Sequence, residues 1–287
     1  MKTYNVGLDI KRIMAILELS IEEFSSNVDL SRVTIYDLLN NTTKPSTEVL
    51  EKIYSFAYKE GINLNRSKEL LFMDNKENCL LFHGARGSIE GEIDTHHSVP
   101  PNDFGDGFYT GETLLQAASW VANYKESSVY PMYFKDDQKL KKMVFKNDLD
   151  WLYAVLYYRN AFKDYEPTKN ITDLIDKIEN SDLIIAPIAD NEMFKIIDSF
   201  ARLEITDEAC IHAISATNLG IQYIFKSDTA CNHLKVLDRL YLCNKEKQDY
   251  IKEKETMSMD GINKARLALV EYRRKGKYFD EIFKRKG

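Results

Sequence analysis

Five residues of this chain are of types that bond, stack on or lie close against a ligand, and they come in a set order: His83, Gly84, Tyr109, Trp120 and Gln222. His83 and Gly84 close the short apolar run Leu81-Phe82. An imidazole both donates and accepts hydrogen bonds. A residue without a Cβ lets a ligand approach the backbone closely. Gly105-Asp106-Gly107-Phe108-Tyr109-Thr110 is a glycine-rich turn that delivers an aromatic strand start, with Asp103 just ahead of it. Phe108, next to Tyr109 on a strand, faces the opposite way and is expected in the core. Thr113 to Trp120 reads as a helix, and Gln222 opens the apolar run Tyr223-Ile224-Phe225. A carboxamide at 222 can bond a hydroxyl but cannot take up a proton. Plainer readings stand beside these: a satisfied, partly buried histidine at 83, and core packing for Trp120.

Taken in order, Leu81-Phe82-His83-Gly84 and Asp103-Phe104-Gly105-Asp106-Gly107-Phe108-Tyr109-Thr110 resemble the first two signature elements of the ADP-ribosyltransferase superfamily, in its His-Tyr-Glu branch. The resemblance implies that NAD is the substrate and that its glycosidic bond is broken. The leaving nicotinamide is already cationic, so positioning and electrostatics carry most of that chemistry. By the same resemblance His83 holds the ribose and the Gly84 backbone holds the nicotinamide amide. Gly107, Tyr109 and Thr110 form the cofactor-binding turn, and Trp120 stands where a second stacking aromatic belongs. The third element of the family is a Glu opening a late strand; here Gln222 takes its place. His83, Tyr109 and Gln222 are therefore the expected catalytic set. Elongation into a polymer is not expected, whereas mono-transfer, NAD hydrolysis and loss of activity all stay open.

The segment from about 79 to 240 also resembles a bacterial domain family of unknown function placed in that superfamily. Its markers include Asp148-Leu149-Asp150-Trp151-Leu152 and Ser181-Asp182-Leu183-Ile184-Ile185-Ala186-Pro187-Ile188-Ala189-Asp190-Asn191. Members often sit in toxin–antitoxin or phage-defence settings. Asp103 and Asp190 are secondary site residues, either of which also reads as a turn or cap. Arg159 meets a pyrophosphate on one reading and pairs with a nearby acid on the other.

These residues need elements to hold them. Cys79–Phe82, Val129–Phe134, Lys142–Phe145, Asp182–Ile188 and Ile221–Phe225 read as strands; Asp150–Phe162, Asn191–Phe200 and Thr206–Ser215 read as helices. Ahead of them, residues 1–65 carry Ile10, Ile13, Met14 and Leu17 at helical spacing and a capping box, Ser20 with Glu23. With Ser31 to Asn40 and Lys44-Pro45-Ser46, this segment resembles the lambda-repressor-type helix-turn-helix family. Ser31, Arg32, Thr34 and Ile35 would then lie where a recognition helix reads base edges. The segment holds seven Lys and Arg against nine Asp and Glu, a net of −2, which weighs against strong phosphate binding. Dimerisation or partner docking stands as the other reading of it.

The expected architecture is α+β: an all-α helix-turn-helix domain over 1–65 and a linker over 66–78, then an ADP-ribosyltransferase-like split β-sheet domain over 79–243 and a charged helical C-terminal extension over 244–287. Residues 245–287 hold thirteen Lys and Arg against eight Asp and Glu, a net of +5, which reads as a solvated helical face or a nucleic-acid contact. The whole chain carries −6, so no global polyanion-binding surface is expected. No apolar stretch reaches the roughly 20 residues of a membrane span, and the first residues lack a signal-peptide core. Cys79, Cys210, Cys231 and Cys243 are scattered, which reads as cytoplasmic free thiols. The His96-His97 pair has no Cys nearby, and no metal site is expected. Beyond NAD, the expected partners are DNA, an antitoxin or a protein or nucleic-acid acceptor, and a second copy of the chain, with no membrane. Two further readings remain: a transcriptional regulator with a non-catalytic NAD- or nucleotide-sensing domain, and a degenerate interaction module.

Overall fold

A computed structural model of the chain describes residues 3–286 apart from 97, 99–101, 190 and 218–219, and describes only the backbone of 191 and 192. In chain order the elements begin α1 (Val6–Ile16), α2 (Ile21–Asn27), α3 (Arg32–Leu39), α4 (Thr47–Lys59), α5 (Leu64–Met73), β1 (Cys79–Arg86), β2 (Phe108–Gly111), α6 (Leu114–Val121), β3 (Ser127–Phe134) and β4 (Lys142–Val144). They continue α7 (Leu149–Tyr158), β5 (Tyr165–Glu166), α8 (Lys169–Glu179), β6 (Leu183–Pro187), α9 (Asn191–Ala201), α10 (Asp207–Ser215), β7 (Ile221–Phe225) and α11 (Asp228–Cys231). The last are β8 (Leu234–Val236), β9 (Leu240–Tyr241), α12 (Asn244–Tyr272), α13 (Phe279–Ile282) and β10 (Lys284–Arg285). The fold is thus mixed α and β. It divides into two compact units, one of Met1–Gly91, Thr113–Lys135 and Lys235–Glu253, the other of Glu92–Glu112, Asp136–Leu234 and Lys254–Gly287. These units do not follow the boundaries at 65, 78 and 243 read from the sequence.

In the first unit, side-chain caps start the helices. Ser20 forms the capping box with Glu23, and Ser31 and Ser46 accept from the backbone of Thr34 and Val49. Ile10, Ile13, Phe24, Ile35 and Ile53 seal the helical core completely. Tyr241 and Cys243 belong to that same core, so residues 1–65 share it with a distant segment. Where a polar linker is expected over 66–78, the chain instead makes α5. Two of its charged residues, Lys68 and Glu69, are buried with partners: Lys68 Nζ lies 2.7 Å from Asp9 Oδ2 and 3.0 Å from Asp238 Oδ2. Glu69 Oε1 accepts the Leu114 backbone N–H at 3.1 Å, at the start of α6. β1 runs antiparallel to β3, with His83 opposite Tyr130, and β9 pairs with the start of β3. α6 lays Leu114, Ala117, Ala118 and Val121 against Phe82 and Val129.

In the second unit the strand order is β4-β6-β7-β2. β4 is parallel to β6; the other pairs are antiparallel. Gln222 faces Ala186 on β6 and Gly111 on β2. The core on one face gathers Trp151, Val155, Ile178, Ile184, Phe200 and Ile224 from strands and helices. Phe279 and Phe283 are part of it, only 0% and 2% exposed. Residues 244–287, read as a charged helical extension with a solvated face, are therefore solvated only in part. Glu246 and Lys247 are buried at the start of α12, and the aromatic pair after it is core. The basic residues Arg273, Arg274 and Lys275 between them are exposed, as a solvated face requires. Among the described residues no helix is long and apolar enough to cross a membrane.

Candidate functional site

β2 and β7 bring Tyr109 and Gln222 onto one face of the second unit's sheet. The register pairs Tyr109 with Ile224 and Gly111 with Gln222, and cross-strand partners share a face. Tyr109 and Gln222 are thus diagonal neighbours, a geometry that separates two residues by roughly 7–8 Å. Directly opposite Gln222 stands Gly111, which has no side chain.

Gln222 is 7% exposed, and its amide nitrogen donates to two acceptors. These are Asp103 Oδ2 at 3.1 Å and the Pro187 carbonyl at 3.1 Å. The other Asp103 oxygen accepts from Arg159 Nη2 at 2.8 Å. The Arg159 guanidinium lies 3.5 Å over the ring of Phe194. Burial pushes the Asp103 carboxyl up from its ordinary value, and this outweighs the opposing pull of Arg159, Gln222 and the Ala189 backbone N–H. Of the two roles read for Arg159, the structure has the ion pair with an acid. Asp103 is consequently more than a turn residue: it ties the segment ahead of the glycine turn to the end of α7 and to β7.

Tyr109 closes the glycine turn with its own hydroxyl. It donates to the Gly105 carbonyl at 2.7 Å and accepts the Phe104 backbone N–H at 3.2 Å. Burial and the nearby Asp103 charge raise the phenol's pKa, so it stays neutral. Gly105 has φ +71°, the left-handed region that a residue without Cβ adopts freely. At Gly107 a Cβ would come within 2.7 Å of Ile224 Cγ2 and 3.1 Å of the Phe225 carbonyl, so packing on β7 already demands glycine there. Thr110 is buried and its hydroxyl donates to the Tyr223 carbonyl at 3.2 Å; the sequence expectation of a cofactor-binding hydroxyl meets a side chain engaged between strands. Phe108 is fully buried, as its place beside Tyr109 predicts.

In the first unit, His83 is half-buried on β1. A Cβ on Gly84 would lie 2.5 Å from the Ala117 carbonyl, so close seating of α6 on the strand requires this glycine whether or not a ligand comes near. Trp120 is 56% exposed on α6, which removes the core-packing reading.

Residues 79–236 match the family described as Protein of unknown function (DUF3990). The chain belongs to the DUF3990 family. No curated protein and no solved structure matches the chain. The DUF3990 segment contains every residue expected to handle NAD, from His83 to Gln222. Within it Asp190 lies outside the described residues, as does His97. Among the described residues no group of three His, Cys, Asp or Glu could hold a metal ion.

The residues expected to meet DNA precede the DUF3990 segment. Arg32 is exposed and 3.6 Å from Glu22. Ser31 and Thr34 hydroxyls bond each other at 2.8 Å while Ser31 caps α3. Ile35 is fully buried, so it cannot read a base edge. Two surface clefts, about 500 Å³ beside Tyr153 and Phe283 and about 430 Å³ beside Tyr4 and Lys68, involve none of the expected site residues. Sequence reasoning named Asp103, Arg159 and Gln222 singly and missed their union. Positions 103 and 222 are 119 apart, and nothing local in either segment signals the other.

Proposed function

We propose that the chain is an NAD-dependent mono-ADP-ribosyltransferase, of a toxin or defence type, acting in the cytoplasm. One observation carries the reading: His83, Tyr109 and Gln222 each lie on a strand, and Tyr109 and Gln222 share a sheet face as diagonal neighbours. His83 and Gly84 on β1 are assigned the ribose and the nicotinamide amide, Tyr109 and the exposed Trp120 the stacking, and Gln222 a ribose hydroxyl. Positioning of this kind suits a bond whose leaving group is already cationic. In the same proposal the helical segment carrying Ser31, Arg32 and Thr34 binds DNA, an antitoxin or a second copy of the chain.

A second reading has its own support. Gln222 cannot accept a proton, and Asp103, the carboxylate beside it, is only 7% exposed. These favour a domain that binds NAD, or a related nucleotide, without turning it over, as in a transcriptional regulator. Incubation with NAD labelled in the adenylate phosphate separates the two. Transfer of label to a protein or nucleic acid, or release of nicotinamide, is the result expected of the transferase. Saturable binding with neither product would assign the sensor. Absence of binding would overturn both.

A further inference from the structure

We propose that Asp103 is a positioning residue: it holds the amide nitrogen of Gln222 so that Oε1 is left as the acceptor for a ribose hydroxyl of NAD, and the two residues together do the work of one glutamate. The inference rests on the NAD reading above and assigns the pair's roles within it.

The argument begins with the orientation of the amide. Its nitrogen faces Asp103 Oδ2 and the Pro187 carbonyl, each at 3.1 Å. A carbonyl can only accept, and an ionised carboxylate can only accept. Both N–H bonds are therefore directed at these two atoms, and a flipped amide would set oxygen against oxygen twice. The carbonyl oxygen is what remains. Among the described residues no donor reaches Gln222 Oε1, and the residue keeps 7% of its surface exposed. The residue opposite on β2 is Gly111, so no side chain there covers it.

The second step concerns charge. A glutamate at 222 would present an anionic oxygen directly. Here the negative charge sits one hydrogen bond behind the contact atom, on Asp103. An N–H bonded to a carboxylate polarises its amide and makes the carbonyl oxygen a stronger acceptor. Arg159 holds the other oxygen of Asp103 at 2.8 Å, which restrains the carboxylate that Gln222 bonds. Asp103 does not have to reach the substrate, and its burial is then what the role requires.

Three variants and two measurements test this. Asp103→Asn leaves one acceptor oxygen where Arg159 and Gln222 each need one, so with Arg159 on that oxygen Gln222 meets an NH2 group and loses the acceptor that fixes it. NAD affinity should fall roughly tenfold or more, the size of one lost charge-assisted bond. Asp103→Asn combined with Gln222→Glu should restore affinity to within a few-fold, because a carboxylate needs no orienting. Gln222→Glu alone sets two carboxylates side by side and should bind more weakly than the double variant. The second measurement needs no NAD: the Gln222 side-chain amide protons, identified by their loss in Gln222→Glu, should be shifted and slow to exchange. Equal NAD affinity in Asp103→Asn and the unaltered chain would overturn the inference and leave the NAD reading standing. Freely exchanging Gln222 amide protons would overturn it as well. No NAD binding by the unaltered chain would remove the NAD reading and this inference with it.

Discussion

Asn65 Nδ2 lies 3.0 and 2.9 Å from the two carboxyl oxygens of Glu246, 181 residues further along the chain. Tyr250 donates to the same carboxyl at 3.2 Å. Burial nevertheless wins and pushes Glu246 from 4.5 up to about 7. The folded state therefore keeps a proton that the unfolded chain releases. Stability should fall as pH rises from about 4.5 to about 7 and level off above, by about 3 kcal/mol in all. Glu246→Gln should flatten that window, read as urea midpoints across it. A slope unchanged by the substitution would contradict the assignment.

Lys68 Nζ lies 2.7 Å from Asp9 Oδ2, and both side chains are almost fully buried, 3% and 0% exposed. Tyr54 also donates to that oxygen at 2.6 Å. Lys68→Met would strand a buried carboxylate and should cost about 3–5 kcal/mol in urea unfolding. Adding Asp9→Asn should recover part of the loss, since the uncompensated charge goes with it. A single variant as stable as the unaltered chain would show that the pair is not doing this.

Gly84→Ala and Gly107→Ala should destabilise by about 1–3 kcal/mol each, because the new Cβ meets backbone or a branched side chain below 3 Å. A pure ligand-approach role predicts unchanged melting with lost NAD affinity. Calorimetric melting without NAD distinguishes these outcomes directly.

The chain has two tryptophans, Trp120 at 56% and Trp151 at 0% exposed. If Trp120 stacks on NAD, titration should quench the emission that acrylamide also reaches, and Trp120→Phe should abolish the signal. His83→Ala should weaken NAD binding with little change in melting, since a half-buried strand histidine contributes little packing. Binding unaffected by either substitution would withdraw both residues from the site.

Local signals were readable where a single residue type settles a helix start. Ser20 caps α2 through the box with Glu23 that its sequence context predicts, and Ser31 and Ser46 cap α3 and α4 with their side chains. The spacing Ile171, Leu174, Ile175 and Ile178 equally encodes α8, though polar neighbours mask it. α5 was hidden for a different reason. Asn65, Lys68 and Glu69 are residue types that normally face water, and only partners far along the chain make their burial tolerable. The candidate site divides the same way. The glycine turn and Tyr109 are local and legible; the link from Asp103 to Arg159 and Gln222 depends on β7 pairing beside β2, which no short window contains.

The sharing of one core by α1–α4 with Tyr241 and Cys243 bears on how the chain is made. A ribosome releases residues in order, and the helical segment emerges long before position 241. Until then its apolar surface lacks two of its sealing side chains, while everything from 136 to 234 is also being threaded out. Contacts of such sequence separation close slowly and leave sticky intermediates exposed meanwhile. Nascent chains of this protein should therefore engage holdase chaperones throughout most of their synthesis.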